Sequence, residues 1–293
     1  MIQDQQGNTW YKGNLHTHTT RSDGRCTPEA LVELYHRNGY DFIAMTDHWN
    51  PSKNETAPNG LLLMAGCEYN FGTEPVEGVF HIVGIGMAQT PAIERNIALS
   101  QAQPAIDAIH RNGGVAILAH PAWSLNTEAQ IRSLHGLDGV EIYNTTSGVP
   151  WNCRPYSGEV VDQLAARDCF IPCMAADDAH HYDGDECRSY IMVRAEALTH
   201  DAIRKSLLRG DFYATQGPNF AWSIADGVLT IHTTPVEQVV FFDNLLWNGH
   251  RVMRGCGMTE IRYSIPKDER FLRLELTDAA GCTAWSSAIP VNR

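Results

Sequence analysis

The chain has 293 residues, a formal net charge of -12 from 34 acidic and 22 basic residues, and a hydrophobic fraction of 43%. This negative field disfavours tracking along a long nucleic acid, but it does not exclude a small anionic ligand, because bound divalent cations can reverse the charge locally. The length accommodates one large α/β domain, or such a domain followed by a smaller module.

The sequence carries no recognisable targeting or membrane segment. Residues 1–12 do not resemble a basic-then-apolar leader, and no apolar run is long enough to span a bilayer. The eight cysteines are scattered without a Cys-x-x-Cys pair, so we expect free thiols rather than disulfides. These features predict a cytoplasmic protein that does not contact a membrane.

Helical patterns alternate with short apolar runs along the first two thirds of the chain. Thr27-Pro28-Glu29 predicts a helix start with an N-cap, a proline at the first position and an acid in the first turn, and Gly39 can end that helix. Apolar periodicity predicts three further helices, near residues 102–111, 156–167 and 202–208.

The predicted strands share one feature, which is that polar groups able to bind a cation lie at or near their ends. His16 and His18 follow the first run and point to one side if the backbone is extended. The later runs with their polar residues are 41–46 with Asp47 and His48, 61–65 with Glu68, 79–86 with His81, 115–119 with His120, 139–143 with Asn144, and 170–176 with Asp178 and His180. A last strand is predicted over residues 189–193.

This alternation predicts an α/β fold built from parallel βαβ units. About seven or eight strands favour a closed, slightly irregular (β/α) barrel over an open doubly wound sheet. In both architectures the functional groups collect at the carboxyl ends of the strands. From residue 216 onward, short alternating runs separated by turns, among them 227–232 and 238–242, predict a small β-sandwich-like domain. We therefore place the domains at residues 1–215 and 216–293.

Ten candidate metal donors would meet at one face of this fold. They are His16, His18, Asp23, Asp47, His48, Glu68, His81, His120, Asp178 and His180. One ion takes about four to six donors, so the set favours two or three ions that share a bridging carboxylate.

Each of these groups also has a structural interpretation when it is taken alone. His81 can be a core histidine, His120 a strand terminator, Asp47 a cap, and Asp23 a turn residue before a glycine. Asp177 is an alternative ligand, although only Asp178 shares a face with His180 in an extended segment. The repetition at successive strand ends favours the metal-binding interpretation.

The ordered motifs resemble those of the polymerase and histidinol phosphatase (PHP) family over roughly residues 12–217. The motifs are His-x-His at 16–18, Ser-Asp-Gly at 22–24, Thr-Asp-His at 46–48, Gly-x-Glu at 66–68, His81, Ala-His-Pro at 119–121 and Asp-x-His at 178–180. The tail, with residues 213–218 and 284–286, is similar to PHP proteins that carry a C-terminal β module, some of them carbaryl-hydrolase-like.

The resemblance implies a distorted (β/α)7 TIM-like barrel with two or three zinc, manganese or iron ions. It implies that the first ion is held by His16, His18, Glu68 and Asp178, that Glu68 bridges to a second ion held by His81 and His120, and that a third is held by Asp23, His48 and His180. Some relatives have His at the position of Asp23, so the third ion is the most variable part of this expectation.

The expected reaction is hydrolysis of a small phosphorylated metabolite or nucleotide. Divalent cations lower the pKa of bound water to about 7, which provides a hydroxide nucleophile at a site formed around Glu68 and Asp178. Arg154 and Arg188 are candidates for neutralising the phosphate oxygens, because a guanidinium fork matches phosphate, and each also has a surface or ion-pair interpretation. His181 is a candidate proton donor to the leaving group, and Asp47 would orient His48 or an edge of the site.

Three alternatives remain open. The metals could support the hydrolysis of a carboxylic or carbamate ester instead of a phosphoester, as the resemblance of the tail allows. Some PHP relatives degrade short RNA or DNA from the 5′ end, and short oligonucleotides are compatible with the acidic charge. The third alternative is a metal-binding module that has lost catalysis, and the intact set of candidate ligands argues against it.

Overall fold

The computed structural model describes residues 2–3 and 7–291. The helices within this part are α1 (Pro28–Arg37), α2 (Ala102–Arg111), α3 (Glu128–Arg132), α4 (Gly158–Ala165) and α5 (His200–Arg209), with a short 3-10 helix at Leu99–Gln101. The first twelve strands are β1 (Ile2–Gln3), β2 (Thr9–Asn14), β3 (Phe42–Ala44), β4 (Glu55–Thr56), β5 (Leu62–Met64), β6 (Gly66–Phe71), β7 (Phe80–Ile85), β8 (Val115–Leu118), β9 (Gly139–Asn144), β10 (Cys173–Ala176), β11 (Tyr190–Arg194) and β12 (Phe212–Thr215). The remaining strands are β13 (Phe220–Ala225), β14 (Val228–Asp243), β15 (Val252–Ser264), β16 (Phe271–Thr277), β17 (Thr283–Trp285) and β18 (Ile289–Pro290).

The helix starts follow local capping chemistry. The hydroxyl of Thr27 accepts a hydrogen bond from the backbone N–H of Ala30, which confirms the predicted N-cap of α1. The four helices predicted from periodicity are all present. The short helix α3 was not predicted, although Thr127 and Gln130 form a complete capping box at its start. A capping box therefore identifies a helix that is too short to show periodicity.

The strands form two sheets. The order of the first sheet is β13-β14-β16-β17-β12-β11-β2-β3-β5-β4, with β1, β15 and β18 added to β2, β14 and β16 respectively. The order of the second sheet is β10-β9-β8-β7-β6. The expectation of parallel pairing is correct for β2, β3 and β5 and for β8, β9 and β10, but it is wrong for β7, which runs antiparallel to both neighbours. The connection between β6 and β7 contains no helix, so the chain returns directly and reverses direction.

The inner faces of the two sheets share one apolar core. Phe42 and Met64 of the first sheet belong to the same buried cluster as Val83, Ile117 and Met174 of the second. Two isolated parallel bridges, Thr17 with Ala179 and His48 with Glu68, connect the sheets at their carboxyl ends. The mixed α/β class is therefore confirmed, whereas the described sheets are not closed into a barrel by continuous ladders.

The C-terminal part is antiparallel and rich in strands, as its alternating pattern predicts. Two runs that were predicted as separate strands, 227–232 and 238–242, are joined in the long strand β14, whose register shifts between His232 and Gln238. Strand β17 pairs with β12, so hydrogen bonding continues across the predicted domain boundary at residues 215 and 216. That boundary stays a prediction.

None of the helices within residues 2–3 and 7–291 combines the length and the apolar character that crossing a bilayer requires. The eight cysteines are free, as the sequence predicts.

Candidate metal centre

The carboxyl ends of the strands bring the predicted donors together. His16 and His18 follow β2, His48 follows β3, His120 follows β8, and Asp178 follows β10. Glu68 and His81 lie within the antiparallel pair β6 and β7, and Asp23 lies in the loop between β2 and α1. Nine of the ten predicted donors form three overlapping groups, His16, His18, Glu68 and Asp178, then Glu68, His81 and His120, then His18, Asp23, His48 and His180.

The first group is the most buried. The Nε2 atoms of His16 and His18 lie 3.2 and 3.1 Å from Glu68 Oε2, and each lies 3.1 Å from Asp178 Oδ1. Two ligands bound to one zinc-type ion at about 2.0–2.2 Å in tetrahedral geometry are separated by about 3.5 Å, so these four atoms are close enough to share an ion.

Glu68 connects this group to the second one. Its other oxygen, Oε1, lies 2.7 Å from His81 Nδ1 and 3.4 Å from His120 Nε2. The two oxygens of one buried carboxylate therefore face two different sets of imidazoles, which is the arrangement of a bridging ligand.

The third group is more open to solvent. Asp23 Oδ1 lies 3.5 Å from His180 Nε2, and Asp23 Oδ2 lies 3.7 Å from His48 Nε2. The side chain of Asp23 is 56% exposed, in contrast to 1% for Glu68. An ion in this group would exchange with solvent more readily than one beside Glu68.

Several donor atoms in the centre have no protein partner. His16 Nε2, His18 Nε2, His48 Nδ1 and Asp178 Oδ1 are buried and accept or donate no hydrogen bond within the described residues. Buried polar atoms are normally hydrogen-bonded, because leaving one unsatisfied costs about 1–3 kcal/mol. The unsatisfied atoms of His16, His18 and Asp178 face one another, and a cation between them would satisfy all three. The residues present therefore fit a metal site.

The electrostatics of the centre favour bound positive charge. Burial raises the pKa of the Glu68 carboxyl, but the charges of His16 and two further histidines outweigh burial and hold that pKa well below its usual range. Burial lowers the pKa of His16, but Asp178 and two other carboxylates outweigh it and raise that pKa well above its usual value. The pKa of His180 is likewise raised, to about 9, because Asp178 and Asp23 outweigh its burial. A cluster that attracts protons so strongly also attracts a divalent cation.

Buried groups that the sequence did not single out orient the ligands. Glu141 Oε1 lies 2.7 Å from His16 Nδ1 and can only accept from it, which leaves Nε2 of His16 free for a cation. Glu141 Oε2 accepts from the backbone N–H of His120 and from the amide of Asn144. Glu141 could have been found from the sequence, because it is a charged residue between the apolar Val140 and Ile142 of β9.

The other two aspartates considered as ligands have structural positions. Asp177 faces away from the donor groups and accepts from Asn14, Tyr35 and three backbone N–H groups of residues 187–189. Asp47 accepts from the backbone and hydroxyl of Thr19 and from Ser22 rather than from His48. It therefore fixes the loop that carries Asp23, an edge of the site, rather than the His48 ring, which was the other expected alternative.

A cavity of about 400 Å³ opens over the donors. His181 lines it, with its ring stacked on Trp151 at a centroid distance of 5.6 Å. Arg154 and Arg188 are exposed and are not among its lining residues, and Arg188 Nε instead donates to the Gly184 carbonyl at 3.2 Å. The further lining residues, which the sequence did not single out, are Arg25, Trp123, Thr146, Ser147 and Asn152.

Comparison with known proteins places this geometry in context. No protein-family model matches the chain. The chain is similar to the 5'-3' exoribonuclease Rnm of Escherichia coli (strain K12), with 38% identity over 81 residues that cover 25% of this chain and 27% of that protein. It thus spans about a quarter of the length of that curated relative.

Two solved structures that match the chain differ in their degree of similarity to it. One is a two-domain protein containing a predicted PHP-like metal-dependent phosphoesterase, from Bacteroides vulgatus ATCC 8482, with 16% identity and a TM-score of 0.57 over 95% of this chain and 93% of that chain. The other, an amidohydrolase from Chromobacterium violaceum, has 15% identity and a TM-score of 0.45 over 68% of this chain and 96% of that one, which is too weak a likeness to support an argument.

The fold and the centre together define a class, an α/β protein with a buried cluster of histidines and carboxylates able to bind metal. Within that class, the predicted resemblance to the PHP family is confirmed at the level of the fold, through the two-domain PHP-like structure. The carbaryl-hydrolase-like character of the tail stays a prediction.

Proposed function

We propose that this protein is a metal-dependent hydrolase that cleaves the phosphoester of a small phosphorylated metabolite or nucleotide. The observation that carries the proposal is the convergence of buried, unsatisfied donor atoms beside Glu68 at the base of an open cavity, which belong to His16, His18, His48 and Asp178. A purely structural cluster would have its polar atoms paired. The PHP-like fold neighbour supports the same class of reaction.

The proposed ligands are the nine residues of the three donor groups. His16, His18, Glu68 and Asp178 would hold one ion, Glu68 with His81 and His120 a second, and Asp23, His48 and His180, with His18 near by, a third. No cysteine belongs to these groups, and mixed imidazole and carboxylate donors suit zinc, manganese or iron. Such ions would supply an activated water and neutralise charge on the phosphate.

The protein's own groups then have separate tasks. Glu68 would keep two ions at a fixed separation, and Glu141 would keep the His16 imidazole in the orientation that binds one of them. His181 would give a proton to the leaving oxygen, a role supported by its place in the cavity wall and by its stacking on Trp151.

The predicted distorted (β/α)7 barrel is part of this proposal. Strands β2, β3 and β6–β10 make a ring if the two isolated bridges, Thr17 with Ala179 and His48 with Glu68, are counted as joints. Both bridges lie beside the metal donors. This supports a barrel whose continuous strand pairing is interrupted next to the site.

A second candidate is the 5′-to-3′ hydrolysis of short oligonucleotides. The similarity to a protein named as a 5'-3' exoribonuclease favours it, over the quarter of the chain that aligns. The net charge of -12 makes long polymers poor ligands, so only short oligonucleotides are proposed.

The test is phosphate release by metal-loaded protein. Protein stripped with a chelator and reloaded with Mn²⁺ or Zn²⁺ is assayed against phosphomonoesters, 5′-phosphorylated oligonucleotides, and aryl carboxylic and carbamate esters. The variant His16→Ala should lose activity by more than about 100-fold. Loss of a residue that only orients a ligand costs about 10- to 100-fold, and loss of a ligand itself should cost more. The matched control is His36→Ala, because His36 is an exposed histidine on α1 away from the donor groups.

Each outcome decides between the candidates. Failure of the reloaded protein to hydrolyse any phosphoester would reject the proposal, and a protein that binds metal but is inert would be a binding module. Faster turnover of a carbamate or carboxylic ester than of any phosphoester would favour the alternative ester hydrolase.

A further inference from the structure

The cavity over the metal centre has a single cationic side chain that is not a histidine. Among the residues that line it, Arg25 is the one lysine or arginine. The backbone N–H of Arg25 donates to the His180 carbonyl at 2.9 Å, whereas its guanidinium has no hydrogen bond, ion pair or ring contact within residues 2–3 and 7–291. The five donors of this guanidinium are therefore available to a ligand.

The loop that carries Arg25 is held firmly against the centre. Gly24 packs so closely on the backbone of His18 that an added Cβ would lie 2.3 Å from the His18 carbonyl oxygen, so this position requires glycine. The Gly24 N–H donates to the Thr19 carbonyl, and the Arg25 N–H fixes the next peptide to the segment that carries His180. The backbone of Arg25 is thus positioned beside the third donor group.

The carboxylates near by do not neutralise Arg25. Glu68 and Asp178 face the imidazoles of the first group, and Asp23, two residues from Arg25, faces His48 and His180. An arginine in the cavity wall that forms no ion pair with these carboxylates is suited to an anion that enters from solvent. A phosphate group matches the planar guanidinium fork with two parallel hydrogen bonds.

We propose that Arg25 is the specificity-determining residue of this site, whose guanidinium binds the terminal phosphate of the substrate and so selects phosphomonoesters over neutral esters. This role replaces the one that the sequence suggested for Arg154 and Arg188, which lie outside the cavity lining. The inference rests on the proposed function for its substrate, but phosphate binding tests it without turnover.

The experiment compares Arg25→Ala, Arg25→Lys and Arg21→Ala in metal-loaded protein. Arg21 is an exposed arginine of the same loop that does not line the cavity, so Arg21→Ala makes the same change in charge without removing the proposed contact. Three quantities are measured for each variant: metal content by elemental analysis, the affinity for inorganic phosphate by calorimetry, and kcat and KM for a phosphomonoester.

We expect Arg25→Ala to bind phosphate about 10- to 100-fold more weakly, as the loss of a charge-assisted contact predicts, with unchanged metal content. The loss should appear mainly in KM, since the phosphate charge is present before the reaction as well as during it. Arg25→Lys should recover part of the affinity because it keeps the charge but not the fork, and Arg21→Ala should stay within about twofold of the parent.

Equal phosphate affinity in Arg25→Ala and the parent protein would overturn the inference, and so would an equal loss in Arg21→Ala, which would indicate a long-range charge effect. Phosphate release by the parent with no effect of Arg25→Ala would remove this inference and leave the proposed function standing. Phosphate binding that depends on Arg25 in a protein that hydrolyses no phosphoester would support this inference and reject the proposed function. A metal-loaded parent protein that does not bind phosphate would contradict the inference directly.

Discussion

Two buried polar clusters of this molecule differ in whether their polar atoms have hydrogen-bond partners within the protein. In the C-terminal part, the fully buried Arg273 donates to Asp162 at 2.7 and 2.9 Å, to Glu275 at 2.6 Å and to the Tyr156 hydroxyl at 3.1 Å. In the metal centre, by contrast, the Nε2 atoms of His16 and His18 face Glu68 and Asp178 with no hydrogen bond to either.

The difference separates a structural role from a binding role. The Arg273 cluster satisfies its groups internally and anchors β16 to helix α4. In the metal centre, buried imidazole nitrogens and a carboxylate oxygen have no hydrogen-bond partner and converge on one another. This arrangement lowers the stability of the folded protein unless a cation is bound. Burial of charge alone therefore does not indicate a functional site, whereas buried charge with unsatisfied atoms that converge does.

The largest expected effect tests the structural cluster. Arg273→Met leaves Asp162 and Glu275 without their partner, and breaking a buried ion pair in this way should lower the free energy of unfolding by about 3 kcal/mol or more. Urea denaturation monitored by circular dichroism measures the change. The control is Arg262→Met, because the pair of Arg262 with Glu260 is exposed and should contribute less than about 1 kcal/mol. Equal effects of the two variants would contradict the contrast between the clusters.

A smaller effect is expected from the support of the metal centre. Glu141→Gln keeps the size of the side chain but removes the charge that faces His16 Nδ1, so metal affinity should fall by about 10- to 100-fold. Competition with a metal indicator measures the affinity, and Glu77→Gln, at an exposed position, serves as the control. Unchanged affinity would mean that Glu141 serves the fold rather than the metal.

The smallest effect concerns Glu269, a buried acid of the C-terminal part that lies beside Asp243, Arg251 and Tyr263. Burial raises its pKa from 4.5 to about 7, a rise that Asp243 reinforces and that Tyr263 and Arg251 oppose. The folded chain thus holds a proton that the unfolded chain releases above about pH 4.5, so this group's contribution to stability falls as pH rises toward 7 and is constant above it.

Glu269→Gln should remove that decline. After allowance for solvent screening, the stability of the variant relative to the parent should rise by about 1–2 kcal/mol between pH 4.5 and pH 8, measured by urea denaturation at each pH. A difference that does not change with pH would show that Glu269 titrates normally.

Much of the fold could be predicted because it depends on local pattern. The Thr27 cap and the apolar periodicity of α2 are properties of neighbouring residues, and both were predicted correctly. The reversal of β7 could not be predicted in this way, since the direction of a strand depends on a partner distant in sequence. The joining of two predicted strands into β14 has the same origin, because β15 pairs with β14 on both sides of Pro235.

For the candidate site, the sequence by itself determined the chemical types of the donors and their order along the strands, because His, Asp and Glu at successive strand ends can be counted without coordinates. Tertiary structure decided which of them meet, that Asp178 rather than Asp177 faces the histidines, and that Arg25 rather than Arg154 or Arg188 reaches the cavity. The physical reason is distance. Local sequence sets the direction of a side chain from its own backbone, whereas the few ångströms that allow atoms to share an ion or a phosphate are fixed only when segments far apart in the chain pack together.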